Sequence, residues 1–263
     1  MSEATFKADG YQIIRNVIPK DTVIKVRSFL ELEVDKALLP AWSELGCNSQ
    51  SEMLSKTKDI LEKKSAKTLN DLSDSTKHSI TGHFSLETRL SEVLWAIPLS
   101  SEFQNVLRTI LNSQTLSMHM PPVARFVLPH NIYAGVPPHQ DFSYNSHLSD
   151  FVTVWIPLVD TDDACGGVTI FKGSGKHAPI PYESGPEEFW LKGIPTFDYQ
   201  AVHTKMQMGD ILVFNKNIIH ASRPNNSERI RYSLDCRFFG SQDTSTKHYL
   251  NLQTKKVVSP SKE

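Results

Sequence analysis

In the segment Pro137-Pro138-His139-Gln140-Asp141, an imidazole and a carboxylate stand two residues apart. On an extended chain, residues i and i+2 face the same side, so both groups can reach one point. This pair does not make a metal site alone, since His-x-Asp also occurs in ordinary surface turns. A second histidine on a neighbouring strand would complete the 2-His-1-carboxylate facial triad of non-haem iron(II) oxygenases, which leaves the opposite face of the ion open for co-substrate and dioxygen.

Of the ten histidines, His220 has the setting for that role. A turn at Met208-Gly209-Asp210 leads into a strand at 211–214, and Asn215 to Ile219 lead on to His220. After a loop comes the run Arg229 to Phe238, in which Arg231, Ser233, Asp235 and Arg237 share one face and Tyr232, Leu234, Cys236 and Phe238 the other. A polar row on a central strand is costly unless it lines a polar cavity. An arginine in it suits a carboxylate ligand, because its planar fork pairs with both oxygens. Arg229 lies on the same face, so alternation leaves Arg231 open between this role and an exposed edge position.

Strands must hold these groups. Candidates are 116–119, 123–128, 151–158, 167–171, 211–214 and 230–239, separated by Pro, Gly, Asn and Asp turns. Upstream, residues 6–18 read as a lead-in and a strand, ended by Pro19. Asp21 then caps a helix whose Val23, Val26, Leu30 and Val34 recur at helical spacing and bury against a sheet face. Two shorter helices follow, one near 87–96, stopped by Pro98, and one near 102–111, capped by Ser100 or Ser101. Helices first and strands later imply an α+β chain with a mainly β core. We expect one domain over 1–263, helix-rich at 20–112, with its sheet core at about 115–240. Residues 40–82 crowd Lys56, Lys58, Lys63, Lys64 and Lys67 into a Ser/Thr-rich stretch, which reads as a solvated surface helix with a mobile flank, or else a lid. The long connection 173–205, with Phe189 and Trp190, is the second lid candidate.

Composition narrows the partners. The chain is 39% apolar and 22% charged, with a formal net charge of −1, so nothing calls for nucleic acid or an anionic membrane. No apolar run is long enough to span a bilayer, and Met1 to Gly10 lack the pattern of a signal peptide. Cys47, Cys165 and Cys236 are odd in number and far apart, which reads as reduced thiols in a cytoplasmic protein rather than a disulfide framework or a zinc site.

Further motifs fall in order around these residues. They are Asp9-Gly10-Tyr11, His139-Gln140-Asp141, Val154-Trp155-Ile156-Pro157-Leu158, Cys165-Gly166-Gly167 through Gly173-Ser174, Gly209-Asp210 with its strand, and His220-Ala221-Ser222 followed by Arg231. In this order the chain resembles the phytanoyl-CoA dioxygenase family of iron(II)/2-oxoglutarate oxygenases over most of its length, with 40–82 outside. It departs from the family at Gly175, where a histidine usually follows Gly-Ser, and at Cys165, where a polar residue is usual.

The resemblance implies a jelly-roll (double-stranded β-helix) core with helices on one sheet. It implies Fe(II) held by His139, Asp141 and His220, with 2-oxoglutarate and O2 as co-substrates. Arg231, eleven positions after His220, would hold the distal carboxylate of 2-oxoglutarate, assisted by Ser222, Trp155 and Ser233. Gln140, Arg125 and Tyr133 are further candidates for touching substrate or co-substrate; a surface salt bridge is the alternative for Arg125. His147, His177 and His203 read as surface histidines. The family's halogenating relatives carry a small residue at the position of Asp141, so a carboxylate there implies hydroxylation of an unactivated C–H bond, with release of succinate and CO2. The substrate expected is a small metabolite or natural-product intermediate. The alternatives are an acyl-CoA α-hydroxylase, a catalytically silent jelly-roll binding protein and a zinc or manganese hydrolase on the same ligands.

Overall fold

A computed structural model describes residues 3–62, 71–180, 193–240 and 245–260. A short helix, α1 (Glu3–Asp9), precedes the first strand, β1 (Tyr11–Ile14). The long helix α2 (Lys20–Leu45) buries the expected stripe of Val23, Val26, Leu30 and Val34 and extends it through Ala37, Leu38 and Ala41. Asp21 does not cap it. Pro19 occupies the cap position without a side-chain hydrogen bond, and Asp21 lies inside the first turn, where a carboxylate favours the helix dipole. The helix runs past Pro40 and stops at Gly46, whose φ of 62° ends it in the left-handed conformation.

Three further helices, α3 (Gln50–Glu62), α4 (Asp74–Thr81) and α5 (Leu86–Arg89), precede a 3-10 turn at Glu92–Ala96 and the helix α6 (Ser101–Leu111). The described parts of 40–82 are not merely a solvated face. Met53 and Ile80 are fully buried in the same cluster as the α2 stripe, because α3 and α4 each turn an apolar edge toward it. Lys63, Lys64 and Lys67 lie outside the described residues. So do Phe189 and Trp190 of the 173–205 connection.

The strands form two antiparallel sheets. The larger runs β1–β7–β4–β9–β2–β10–β11, with β3 also along β9. Its members after β1 are β2 (Leu116–His119), β3 (Val123–Val127), β4 (Val152–Pro157), β7 (Ile211–Asn215), β9 (Arg231–Gly240), β10 (Tyr249–Asn251) and β11 (Lys256–Val258). The smaller runs β6–β5–β8, made of β6 (Gln200–His203), β5 (Val168–Lys172) and β8 (His220–Ser222). Side-chain alternation divides the larger sheet. Val154, Ile156, Ile211, Val213, Leu234 and Phe238 face the helices with Val23, Val26 and Leu30. Trp155, Leu212 and Phe214 face the smaller sheet, where they meet Val168 and Ile170. Two antiparallel sheets packed face to face, with helices on the outside of one, make a jelly roll.

The sheet core is wider than 115–240. β1 joins one edge through Tyr11↔Phe214, and β10 and β11 extend the other through Tyr249↔His119. Three-residue strands carry too little periodicity to be read from sequence. The α2 stripe supplies a direct test of this packing. Leu30→Ala, at a fully buried position, is expected to cost about 2–5 kcal/mol, whereas Leu32→Ala, at a position 83% exposed, should change stability by less than about 0.5 kcal/mol; urea unfolding of both variants checks the pair.

Candidate metal centre and its cavity

His139 and His220 face each other as an isolated antiparallel bridge beside the smaller sheet. Each backbone N–H donates to the other's carbonyl at 3.0 Å, and the rings lie with centroids 4.2 Å apart. Asp141 does not continue a strand. Gln140 is extended, at φ −111° and ψ 136°, and Asp141 opens a 3-10 turn, Asp141–Tyr144. One extended residue between them suffices to bring His139 and Asp141 to the same side.

All three side chains are buried, and their candidate ligand atoms lie within 4.8 Å of one another, so a single ion can touch all three. Asp141 Oδ1 is 3.7 Å from His139 Nε2 and 3.9 Å from His220 Nε2. The tautomers follow from the backbone. His139 Nδ1 donates to Pro137 O at 2.8 Å and His220 Nδ1 donates to Ile218 O at 3.1 Å. Each ring therefore presents the lone pair of Nε2 inward, the form a metal needs. Burial, aided by the neighbouring His220, pushes His139 down to about 4 against the pull of Asp141. Burial likewise lowers His220.

Burial alone would raise the Asp141 carboxyl, but Arg237, with His220 and His139, holds it well below the usual range. Arg237 donates through Nη2 to Oδ1 at 2.9 Å and through Nε to Oδ2 at 3.2 Å. Thr153 donates a short hydrogen bond to Oδ2. Oδ2 is thus occupied, and Oδ1 faces the two imidazoles. Arg237 also donates to Asp235 Oδ2 at 3.1 Å. Alternation places Arg237 on the polar face of β9, two residues beyond Asp235, and gives it no role; the nearness of Asp141 supplies one.

A cavity of about 410 Å³ opens beside the two imidazoles. The whole polar face of β9, comprising Arg231, Ser233, Asp235 and Arg237, lines it, as do Trp155, Ser222 and Arg125. Arg231 and Arg229 separate cleanly here. Arg229 is exposed and pairs with Asp162 at 2.8 Å, whereas Arg231 is buried. Arg231 Nη1 donates to Cys165 O at 3.0 Å and Arg223 O at 2.9 Å, and its buried Nε has no partner among the described residues. Gly166 is required beside it, since a Cβ there would lie 2.8 Å from Arg231 Nη1 and 2.2 Å from Pro224 O. A fixed guanidinium with an unsatisfied donor at the cavity wall fits a carboxylate ligand.

Other expectations change. Gln140 does not reach the cavity; its Nε2 donates to Asn217 O at 2.7 Å and its Oε1 accepts from Ile180 N at 2.8 Å. Because residues 139 and 141 face the site, 140 must face away. Tyr133 lies on a separate outer groove with Leu54 and Leu128, since the 3-10 turn Ile132–Ala134 directs it outward. Arg125 is no surface ion pair: it is buried and donates to Thr81 O at 2.7 Å and Ala134 O at 2.8 Å. His147 is not a plain surface residue either, because its Nε2 meets His119 Nε2 at 3.1 Å. The three cysteines are free and buried. No described helix is long and apolar enough to cross a membrane.

A jelly roll with this triad defines a class of metal-binding β-helix proteins. The family profile described as "Phytanoyl-CoA dioxygenase (PhyH)" matches residues 6–233, and the chain belongs to that family. A 1-deoxypentalenic acid 11-beta-hydroxylase of Streptomyces exfoliatus is 35% identical over 113 residues, a span of 38% of this chain and 40% of that protein. The chain thus matches well under half the length of that curated relative. Among solved structures, the non-heme monooxygenase ThoJ superposes with a TM-score of 0.65 at 15% identity, covering 98% of this chain and 85% of that one. The epimerase SnoN, solved with Fe3+, alpha ketoglutarate and nogalamycin RO, gives 0.58 at 16% identity, covering 91% and 82%. At such identities these likenesses speak for the fold.

Two outcomes test the electrostatics. Arg237→Met frees Asp141 to rotate and should weaken divalent metal binding by about 10- to 100-fold, the usual effect of removing a group that orients a ligand; anaerobic titration with Co(II), followed by its visible bands, reads this. Burial, with Asp141, raises the Asp235 carboxyl to about 6 against the pull of Arg237, so its charge opposes folding at neutral pH. Asp235→Asn should stabilise the metal-free protein at pH 8 by about 1–3 kcal/mol. That gain should shrink as pH falls from about 6 and vanish below about 4, where the carboxyl is protonated in both states. Denaturant unfolding from pH 4 to pH 8 measures it.

Proposed function

We propose that the chain is an Fe(II)- and 2-oxoglutarate-dependent oxygenase that hydroxylates an unactivated C–H bond of a small molecule. The observation that carries this reading is the pairing of three inward-facing ligand atoms with Arg231, a buried arginine with an unsatisfied Nε, on the wall of one cavity. A metal hydrolase has no use for the second feature, and a silent binding protein has no use for both. Family membership and the hydroxylase named among its relatives support the same reaction class.

In this reading His139, Asp141 and His220 hold the iron, Arg231 receives the distal carboxylate of 2-oxoglutarate, and Ser222, Ser233 and Trp155 shape the wall around it. When bound, iron with 2-oxoglutarate would supply the oxidation of a C–H bond to an alcohol by dioxygen, with release of succinate and CO2. The protein's part is to fix the ligand set, seat both substrates and keep bulk water out. Asp141 would serve as the carboxylate ligand, where the family's halogenating members carry a small residue, and this favours hydroxylation. The cavity volume suits a small molecule.

Anaerobic addition of Fe(II) and 2-oxoglutarate should give a weak visible charge-transfer band that His139→Ala abolishes. In Arg231→Gln the dissociation constant for 2-oxoglutarate should rise about 10- to 100-fold, the worth of a hydrogen-bonded charge, while metal binding holds. Absence of the band from the intact protein would sink the proposal.

A further inference from the structure

The cavity has a second cationic end. Arg231 and Arg237 lie six residues apart on β9, about 20 Å along the strand. Arg237 is taken up by Asp141 and Asp235. Near Arg237, two more cations line the same cavity: Arg89, from the last turn of α5, and Lys247, just before β10. Each makes a backbone contact, Arg89 Nε donating to Pro122 O at 2.8 Å and Lys247 Nζ donating to Tyr144 O at 2.9 Å. Among the described residues, neither has a carboxylate within salt-bridge distance. Burial, and then repulsion from Arg237, lowers the pKa of both. Burial and the positive surroundings lower the pKa of His119, to about 4, and that of His147.

A metal dication and a 2-oxoglutarate dianion would cancel, and Arg237 offsets one of the two aspartates it contacts, leaving one negative charge. Arg231 and Arg125 add further positive charge to the lining. Arg89, partly buried, and Lys247, exposed, then remain on the lining as two cations without a carboxylate partner among the described residues, and an anion entering the cavity meets the field of both. The wall nearby is apolar, formed by Met120, Val123 and Trp155.

We propose that Arg89 and Lys247 bind an oxyanion group on the prime substrate, most simply a carboxylate, and so orient an apolar skeleton toward the metal. This rests on the oxygenase reading above and names the substrate class for it: small amphipathic acids rather than neutral molecules. The two are positioning residues, not catalytic ones.

The probe is octanoate against its uncharged partner octanamide. Both are titrated calorimetrically into the protein loaded with Fe(II) and 2-oxoglutarate under nitrogen. The intact protein should bind the acid at least about tenfold more tightly than the amide, the worth of one charge-assisted hydrogen bond. Arg89→Met and Lys247→Met should each reduce that ratio at least about threefold while leaving the charge-transfer band in place. Equal response to acid and amide, including no response to either, overturns the proposal, as does a ratio preserved in both variants. Should Arg89→Met fail to fold, Lys247→Met, at an exposed position, decides alone. Failure of the band in the intact protein refutes the oxygenase reading instead, and the acid–amide comparison, read by heat without iron, still decides the anion site.

Discussion

The site depends on a pair of backbone hydrogen bonds, those exchanged by His139 and His220. They tie the segment after Pro137-Pro138 to the edge of the smaller sheet in one register. A slip of one residue would turn a ring to the opposite face. The surroundings defend that register. Ile219 N donates to Ser174 Oγ at 2.8 Å, Phe171 N donates to Ile219 O at 3.0 Å, and Gln140 clamps Asn217 and Ile180 on the side away from the metal. A residue that appeared to be a candidate for touching substrate is in fact part of the mounting for the two ligands beside it.

Burying this much charge needs compensation at every step. Asp141 is wholly enclosed, and a lone carboxylate there would take up a proton rather than ligate a metal. Arg237 prevents that, and in doing so becomes enclosed itself. Asp235 shares the same guanidinium through one contact, which does not outweigh burial and the neighbouring Asp141, so its carboxyl rises, while two contacts from Arg237 and two imidazoles bring that of Asp141 down.

Much of this was legible in the sequence, and unevenly so. The closeness of His139, Asp141 and His220 was legible because their spacing and chain order constrain it, whereas alternation left Arg231 level with Arg229; the long elements were legible because Val23 to Val34, or Leu234 to Phe238, repeat a period several times. What escaped was whatever depends on contacts between distant segments. Arg237 and Arg231 look alike on the same strand face; only the proximity of Asp141, 96 residues away, separates their roles. Tyr133 and Gln140 lie near the right residues in the chain but point the wrong way, since a single 3-10 turn or a parity of one decides direction. The caps of α2 and α6 show the same limit. Ser100 stands at the cap of α6, yet its hydroxyl donates backward to Ile97 O at 2.9 Å and makes no cap bond.

The cavity is assembled from two sources. Its metal-bearing wall comes from the bridge residues and β9, all inside the jelly roll. His83 and Arg89 come from the helical layer, and Lys247 from the segment after β9. Their segments bond to β2, β3 and the turn between them rather than to the three candidate metal ligands: Phe84 N donates to Ala124 O, Arg89 Nε to Pro122 O and Met120 N to His248 O. Such a division separates the residues that could hold an ion from those that shape the far wall of the cavity. A changed side chain near α5 or at the entry to β10 would then reshape what the cavity admits and leave the spacing of His139, Asp141 and His220 untouched.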